Sequence, residues 1–211
     1  MFTTIVFDVD GTLIDSEEAI LNSLQKVLQE EGHAYSQDDL RFALGIPGMD
    51  TLKQLEIANP ERVLATWSET VLEFSDSVRL FEGAAEVVAQ LAESPLRLGI
   101  VTSKTAQEVR HEFDPFGLSP HFDCIVSASD TEKHKPHPDP LLRCLETLGA
   151  EKEGALYIGD SIYDMQCAHS AGVPFALALW GSKTTERFEA ADYILKQPVD
   201  VLELLKLHEE E

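Results

Sequence analysis

Two pairs of acids stand where apolar runs stop. In TIVFDVDGT, Asp8 and Asp10 follow Ile5, Val6 and Phe7 and precede Gly11; in LYIGDSIYD, Asp160 and Asp164 follow a second such run. Residues two apart in a strand share a face, so Asp8 and Asp10 are expected side by side at a strand end. Asp164 falls about one helical turn after Asp160. Carboxylates gathered at one edge repel one another unless a hard cation holds them. Mg²⁺ is such a cation, bound through a few carboxylates together with substrate phosphate oxygens. A lone Asp at a strand end often only caps the next helix. That reading stays open for Asp164 by itself and is poor for the two pairs together.

The elements that must carry these acids follow from the hydrophobic pattern. Residues 4–10, 96–103, 122–129, 154–160 and 173–180 read as buried parallel strands, apolar on both faces. Helical patterns at 83–94, 104–116, 139–149 and 162–171 lie between them. Strand and helix in alternation predict a doubly wound α/β sheet, whose ligands bind at the carboxyl ends of its strands. Residues 15–79 break the rhythm, with helical patterns only. Ile20, Leu21, Leu24, Val27 and Leu28 recur at helical spacing, and Gly32 suits the end of that helix. Shorter helices are expected near 37–44 and 49–58, and Asn59-Pro60 as the N-cap and first position of a further one. The expected organisation is a core of residues 1–14 and 80–211 with a helical cap, 15–79, inserted after the first strand.

The stretches DVDGT, VTSK, KPHPDP and GDSIYDMQCAHSAG, in that order, resemble the four signature motifs of the haloacid dehalogenase superfamily. The likeness spans almost the whole chain, and the insert resembles that superfamily's small helical cap. The pattern is nearest to phosphoglycolate phosphatases, related pyrophosphatases and β-phosphoglucomutase. The resemblance implies that Asp8 is a nucleophile that becomes an aspartyl phosphate. It makes Asp10 the general acid and base. It assigns Mg²⁺ to Asp8, Asp10 (through its main-chain carbonyl) and Asp160, with Asp164 completing or bracing the site. A phosphoryl group also needs donors and a positive charge. Thr102 and Ser103 follow a strand within the second motif, although similar phosphatases often carry Asn where Ser103 stands. Lys135, directly before Pro136, is the expected cation, with Lys133 its competitor, and it is expected to keep Asp8 ionised. His134 and His137 lack a third ligand near in sequence and point poorly to zinc.

In such folds the cap selects the substrate and excludes water. RFALGIPGMDTL resembles the cap loop that reaches toward the active site, with Gly45 in it. Arg41 and Lys53 flank that loop as candidates to meet a second negative group, although ordinary surface charge is the commoner role for either. Gly45-Ile46-Pro47-Gly48 lacks the Gly-x-Ser followed by Arg of the mutases, and Asp10 argues against the dehalogenases, which need no second acid there. The expectation is a Mg²⁺-dependent phosphatase of a small phosphorylated metabolite, phosphoglycolate first, then pyrophosphate or a sugar phosphate. A mutase is an alternative. A phospho-accepting receiver or a binding module stands as the non-enzymatic one, although a receiver needs neither a cap nor a leaving-group acid.

The whole-chain totals set limits on partners. The 211 residues are 44% hydrophobic and 26% charged, as in a folded soluble domain. A formal net charge of −22 makes nucleic acid and anionic membranes poor partners and requires a local cation for any anionic substrate. No window approaches the roughly 18 unbroken apolar residues of a membrane span. Cys124, Cys144 and Cys167 are widely spaced, as reduced packing residues of a cytoplasmic protein would be. Oligomeric state leaves no mark in the sequence.

Overall fold

The computed structural model describes residues 2–209. Its strands are β1 (Thr4–Phe7), β2 (Ile14–Asp15), β3 (Arg79–Leu80), β4 (Arg97–Val101), β5 (Cys124–Val126), β6 (Ala155–Gly159), β7 (Phe175–Ala178) and β8 (Tyr193–Leu195). Six of them form one sheet in the order β5-β4-β1-β6-β7-β8, every pair parallel. The central strand is β1, with Phe7 opposite Ile100 of β4 and Ile158 of β6. Both acid-bearing strand ends are therefore neighbours, on the same edge of the sheet. The short edge strand β8 was not expected: three residues, of which Ile194 is exposed, give no buried run to recognise.

The helices are α1 (Glu17–Glu30), α2 (Gln37–Leu40), α3 (Gly48–Gln54), α4 (Pro60–Thr70), α5 (Ala84–Ala92), α6 (Ala106–Glu108), α7 (Asp139–Leu148), α8 (Ile162–Ala171), α9 (Leu179–Ser182) and α10 (Asp200–Glu209). Alternation along β1 sends Ile5 and Phe7 to one face of the sheet, against Val87 and Leu91 of α5 and Val201 of α10. Val6 goes to the other, against Leu141 and Cys144 of α7 and Ala168 of α8. Helices on both faces give the doubly wound α/β fold that the alternation predicts. The three cysteines are buried and free.

A third hydrophobic cluster lies wholly in the insert, built on Leu24, Leu28, Leu40, Leu52, Val63 and Trp67. Trp67 is fixed in it by donating its indole N–H to Ser23 Oγ at 2.9 Å. The chain enters and leaves the insert through β2 and β3, which pair antiparallel, Asp15 opposite Arg79.

Three local expectations need correction. The first strand stops at Phe7, not at residue 10: the N–H groups of Thr12, Leu13 and Ile14 all turn back to the Val9 carbonyl, so the acids lie on a turn. The predicted helix 104–116 begins only at α6, widens into a π-helical stretch over Val109–Phe113, and ends in a 3₁₀ turn containing Pro115. Asn59 precedes α4 with φ 53° and makes no side-chain cap, so Pro60 alone marks that start.

Candidate active site

Asp8 is the first residue past β1, and its N–H still donates to the Ile158 carbonyl of β6 at 2.9 Å. That bond anchors its backbone at the centre of the sheet edge. The side chain is 2% exposed, with Lys135 Nζ 2.9 Å from Oδ1. The same ammonium lies 2.8 Å from Asp164 Oδ1, which also accepts from the Tyr157 hydroxyl at 2.9 Å. Asp164 Oδ2 accepts from the Ser161 N–H and hydroxyl at 3.0 and 2.6 Å, closing a capping box at the start of α8. Asp164 thus caps its helix and braces Lys135 at once. Lys133, the competitor, is exposed.

Asp8, Asp160 and Asp164 each present a carboxylate oxygen, all within 4.8 Å of one another. Gly11 makes this crowding possible: with φ 74°, a Cβ there would stand 2.1 Å from Asp160 Oδ2. Thr12 donates to Asp160 Oδ1 at 3.3 Å. Burial and the Asp164 charge push the Asp8 carboxyl up to about 7, although Lys135 pulls the other way. Burial, Asp164 and Asp8 likewise raise Asp160 well above the ordinary carboxylate range. Lys135 acts on Asp8 in the direction the sequence reading expected, lowering its carboxyl, but burial and Asp164 outweigh it. Burial works against the charge on Lys135, but Asp164 and Asp8 outweigh it and hold the ammonium above its usual range. A buried set of oxygen donors with unbalanced negative charge, free of nitrogen and sulfur, fits a hard cation such as Mg²⁺.

Asp10 turns away from this group. Its Oδ1 accepts from Ser16 Oγ at 2.5 Å and lies 3.0 Å from Lys104 Nζ, and its side chain is not among the clustered carboxylates. Lys104 is 7% exposed and also binds Glu112 Oε2 at 2.6 Å. Burial opposes its charge, yet Asp10 and Glu112 hold it above the usual range. Burial raises the Glu112 carboxyl, against the pull of Lys104. The sequence reading missed Lys104 and Glu112. The signal available was the lysine that closes the second motif, VTSK, with an acid two helical turns on.

Thr102 is buried just past β4 and accepts from the Lys104 N–H at 3.2 Å; Thr105, not Thr102, caps α6. Ser103 donates its hydroxyl to the Gly45 carbonyl at 2.9 Å, tying the insert to the sheet edge. Gly45 has φ 90°, and a Cβ would stand 2.8 Å from Ser161 Oγ. His134 spans the same gap, with Nε2 donating to the Ala128 carbonyl at 3.0 Å and Nδ1 3.4 Å from Asp50 of α3. Asp8, Asp10, Gly45, Ser103 and Lys104 line a cleft between sheet edge and insert. Arg41 and Lys53 do not line it. Arg41 pairs with Glu17 at 2.8 Å, and Lys53 is exposed on α3.

The model of the haloacid dehalogenase-like hydrolase family matches residues 5–178. The pyrophosphatase PpaX of Halalkalibacterium halodurans is 33% identical over 207 residues, 96% of each chain. That of Bacillus mycoides is 32% identical over 206 residues, 96% of each. A Lactobacillus plantarum structure, provisionally named a phosphoglycolate phosphatase, superposes with TM-score 0.88 at 31% identity over 97% of this chain and 99% of that one. A hydrolase structure from Pseudomonas syringae gives TM-score 0.88 at 25% identity, covering 97% of this chain and 98% of the other. With the motif acids gathered at one sheet edge, and a family match that runs from β1 to the end of β7, the chain belongs to the haloacid dehalogenase-like hydrolases.

Proposed function

We propose that this protein is a Mg²⁺-dependent phosphatase that works through an aspartyl phosphate on Asp8. The observation that carries the reading is the buried group of Asp8, Asp160 and Asp164 with Lys135 2.9 Å from the Asp8 carboxylate. Asp8, Asp160 and the Asp10 carbonyl would hold Mg²⁺, with Asp164 as brace, and the bound cation would supply positive charge to the phosphoryl oxygens. A carboxylate oxygen of Asp8 attacks phosphorus; the O–P bond to Asp8 forms as the bond to the leaving oxygen breaks. Asp10 gives its proton to that oxygen, then takes one from water, whose attack releases phosphate and restores Asp8. Lys135 offsets charge on the phosphoryl group, and Thr102 and Ser103 are the proposed donors to it. Residues 15–79 act as the cap, with Gly45 at its contact with the core.

Phosphoglycolate is the substrate expected from the sequence pattern, and pyrophosphate is the second reading, favoured by the name the curated relatives carry. The test is phosphate release from both and from several sugar phosphates, with Mg²⁺ and with chelator, for wild type and Asp8→Asn. Metal-dependent release, lost by at least about 10³-fold in the variant, is expected for a missing nucleophile. Release that survives Asp8→Asn would refute the mechanism.

A further inference from the structure

Beyond Asp8 the cleft has a distinct chemical character. Its insert side is apolar, made by Ile20, Ala43, Ile46, Trp67 and Val71. Its core side carries Glu108 and Glu112, one helical turn apart, with Lys104. Glu108 is held there: Oε2 accepts from the Thr105 N–H at 2.7 Å and Oε1 from the Ser68 hydroxyl of α4 at 3.2 Å. Lining the cleft, among the described residues, are the carboxylates Asp8, Asp10, Glu108 and Glu112; Asp8 is paired with Lys135 outside that lining, and the lining itself holds one cation. That cation is Lys104, and it is already committed to Asp10 and Glu112. Arg41 and Lys183 do not line the cleft and share the Glu17 carboxylate.

A second negative group on a substrate, such as a carboxylate or another phosphate, would lose water and lie beside two glutamates without a counter-ion. Such burial of an unpaired charge is strongly unfavourable. Apolar walls and a tryptophan favour instead a group with an apolar face and no negative charge. Resting on the phosphatase reading above, we infer that the substrate is a phosphate monoester whose alcohol portion has an apolar face and carries no negative charge. Glu108 is the residue that selects against a second anion.

The experiment compares kcat/KM for benzyl phosphate and phosphocholine with that for phosphoglycolate and pyrophosphate, on the whole protein with saturating Mg²⁺. Either of the first pair is expected to exceed both anionic substrates by about tenfold or more, the scale of one unscreened charge contact in a partly buried cleft. Glu108→Gln keeps the residue type that a capping box accepts while removing the charge. In that variant the ratio of phosphoglycolate to benzyl phosphate kcat/KM is expected to rise about tenfold. Phosphoglycolate or pyrophosphate as the best substrate overturns the inference and leaves the phosphatase standing. An unchanged ratio in Glu108→Gln overturns the part assigned to Glu108. No turnover of any of the four by folded, metal-loaded protein overturns the phosphatase reading itself, and the inference with it.

Discussion

Asp8 and Asp10 are two residues apart, yet each carboxylate has its own buried ammonium: Lys135 for Asp8 and Lys104 for Asp10. From the sequence, a metal and a phosphoryl group seemed to be what allows two acids so close. The structure adds a division of the acids between two lysines, one following β4 and one following β5. Removing one member of a buried pair leaves an unpaired charge and costs about 3–5 kcal/mol. Lys104→Met is therefore expected to lower the urea midpoint sharply and to misplace Asp10, reducing kcat. Adding Glu112→Gln should recover part of the stability, because one stranded carboxylate is gone, but not kcat. A double variant no more stable than Lys104→Met would show that the pair does not act as a unit. The Asp8 carboxyl gives a second prediction. Its pKa rises from 3.8 to about 7 on folding, so the folded state binds protons more tightly than the unfolded chain. Chelated protein should thus carry this contribution in full below about pH 3.8 and lose it as pH rises through 7. Urea unfolding at pH 5 and pH 7.5, compared with the same pair for Asp8→Asn, reads the slope. Stability of chelated wild type that rises with pH more steeply than in the variant would contradict the assignment.

The elements explain which parts of the site were legible beforehand. β1, β4 and β6 are continuous apolar runs buried on both faces, so their existence and the edge where Asp8, Thr102 and Asp160 emerge could be read from pattern alone. Their adjacency could not, because strand order depends on contacts between distant segments. Nor could the pairing of Lys104 with Asp10, 94 positions away: a lysine in VTSK has no sequence mark that separates a buried ion pair from a solvated one. The same limit applies in reverse to Arg41 and Lys53, cations near the right loop that the fold turns to Glu17 and to solvent. Gly45 was singled out for its loop, and the structure supplies the physical requirement: positive φ and a surface in contact with Ser161 while its carbonyl takes the Ser103 hydroxyl. Gly45→Ala should cost about 1–2 kcal/mol for the backbone alone. Its Cβ also meets Ser161, so the insert is expected to sit further from the edge, with KM rising more than kcat falls. An unchanged KM would mean that this contact does not set the geometry of the closed cleft.

At the scale of the molecule, a net charge of −22 surrounds a site built to take an anion. Two lysines, with the divalent cation proposed for the site, would make the interior attractive, but a phosphate dianion must first approach through a repulsive field. Such long-range repulsion is screened over about 10 Å at 0.1 M salt, whereas the buried pairs inside are screened much less. Ionic strength therefore acts mainly on encounter, not on the bond-making step. With Mg²⁺ kept saturating, kcat/KM for a dianionic monoester is expected to rise about two- to fivefold between 10 and 150 mM KCl, with kcat nearly constant. The direction separates two pictures of the surface. A cleft whose mouth gathered anions through its own cations would lose kcat/KM on adding salt. Here Arg41 and Lys183 share the one carboxylate of Glu17 and keep a single net positive charge, and Lys104 is closed off inside, so little cationic charge stands against the overall −22.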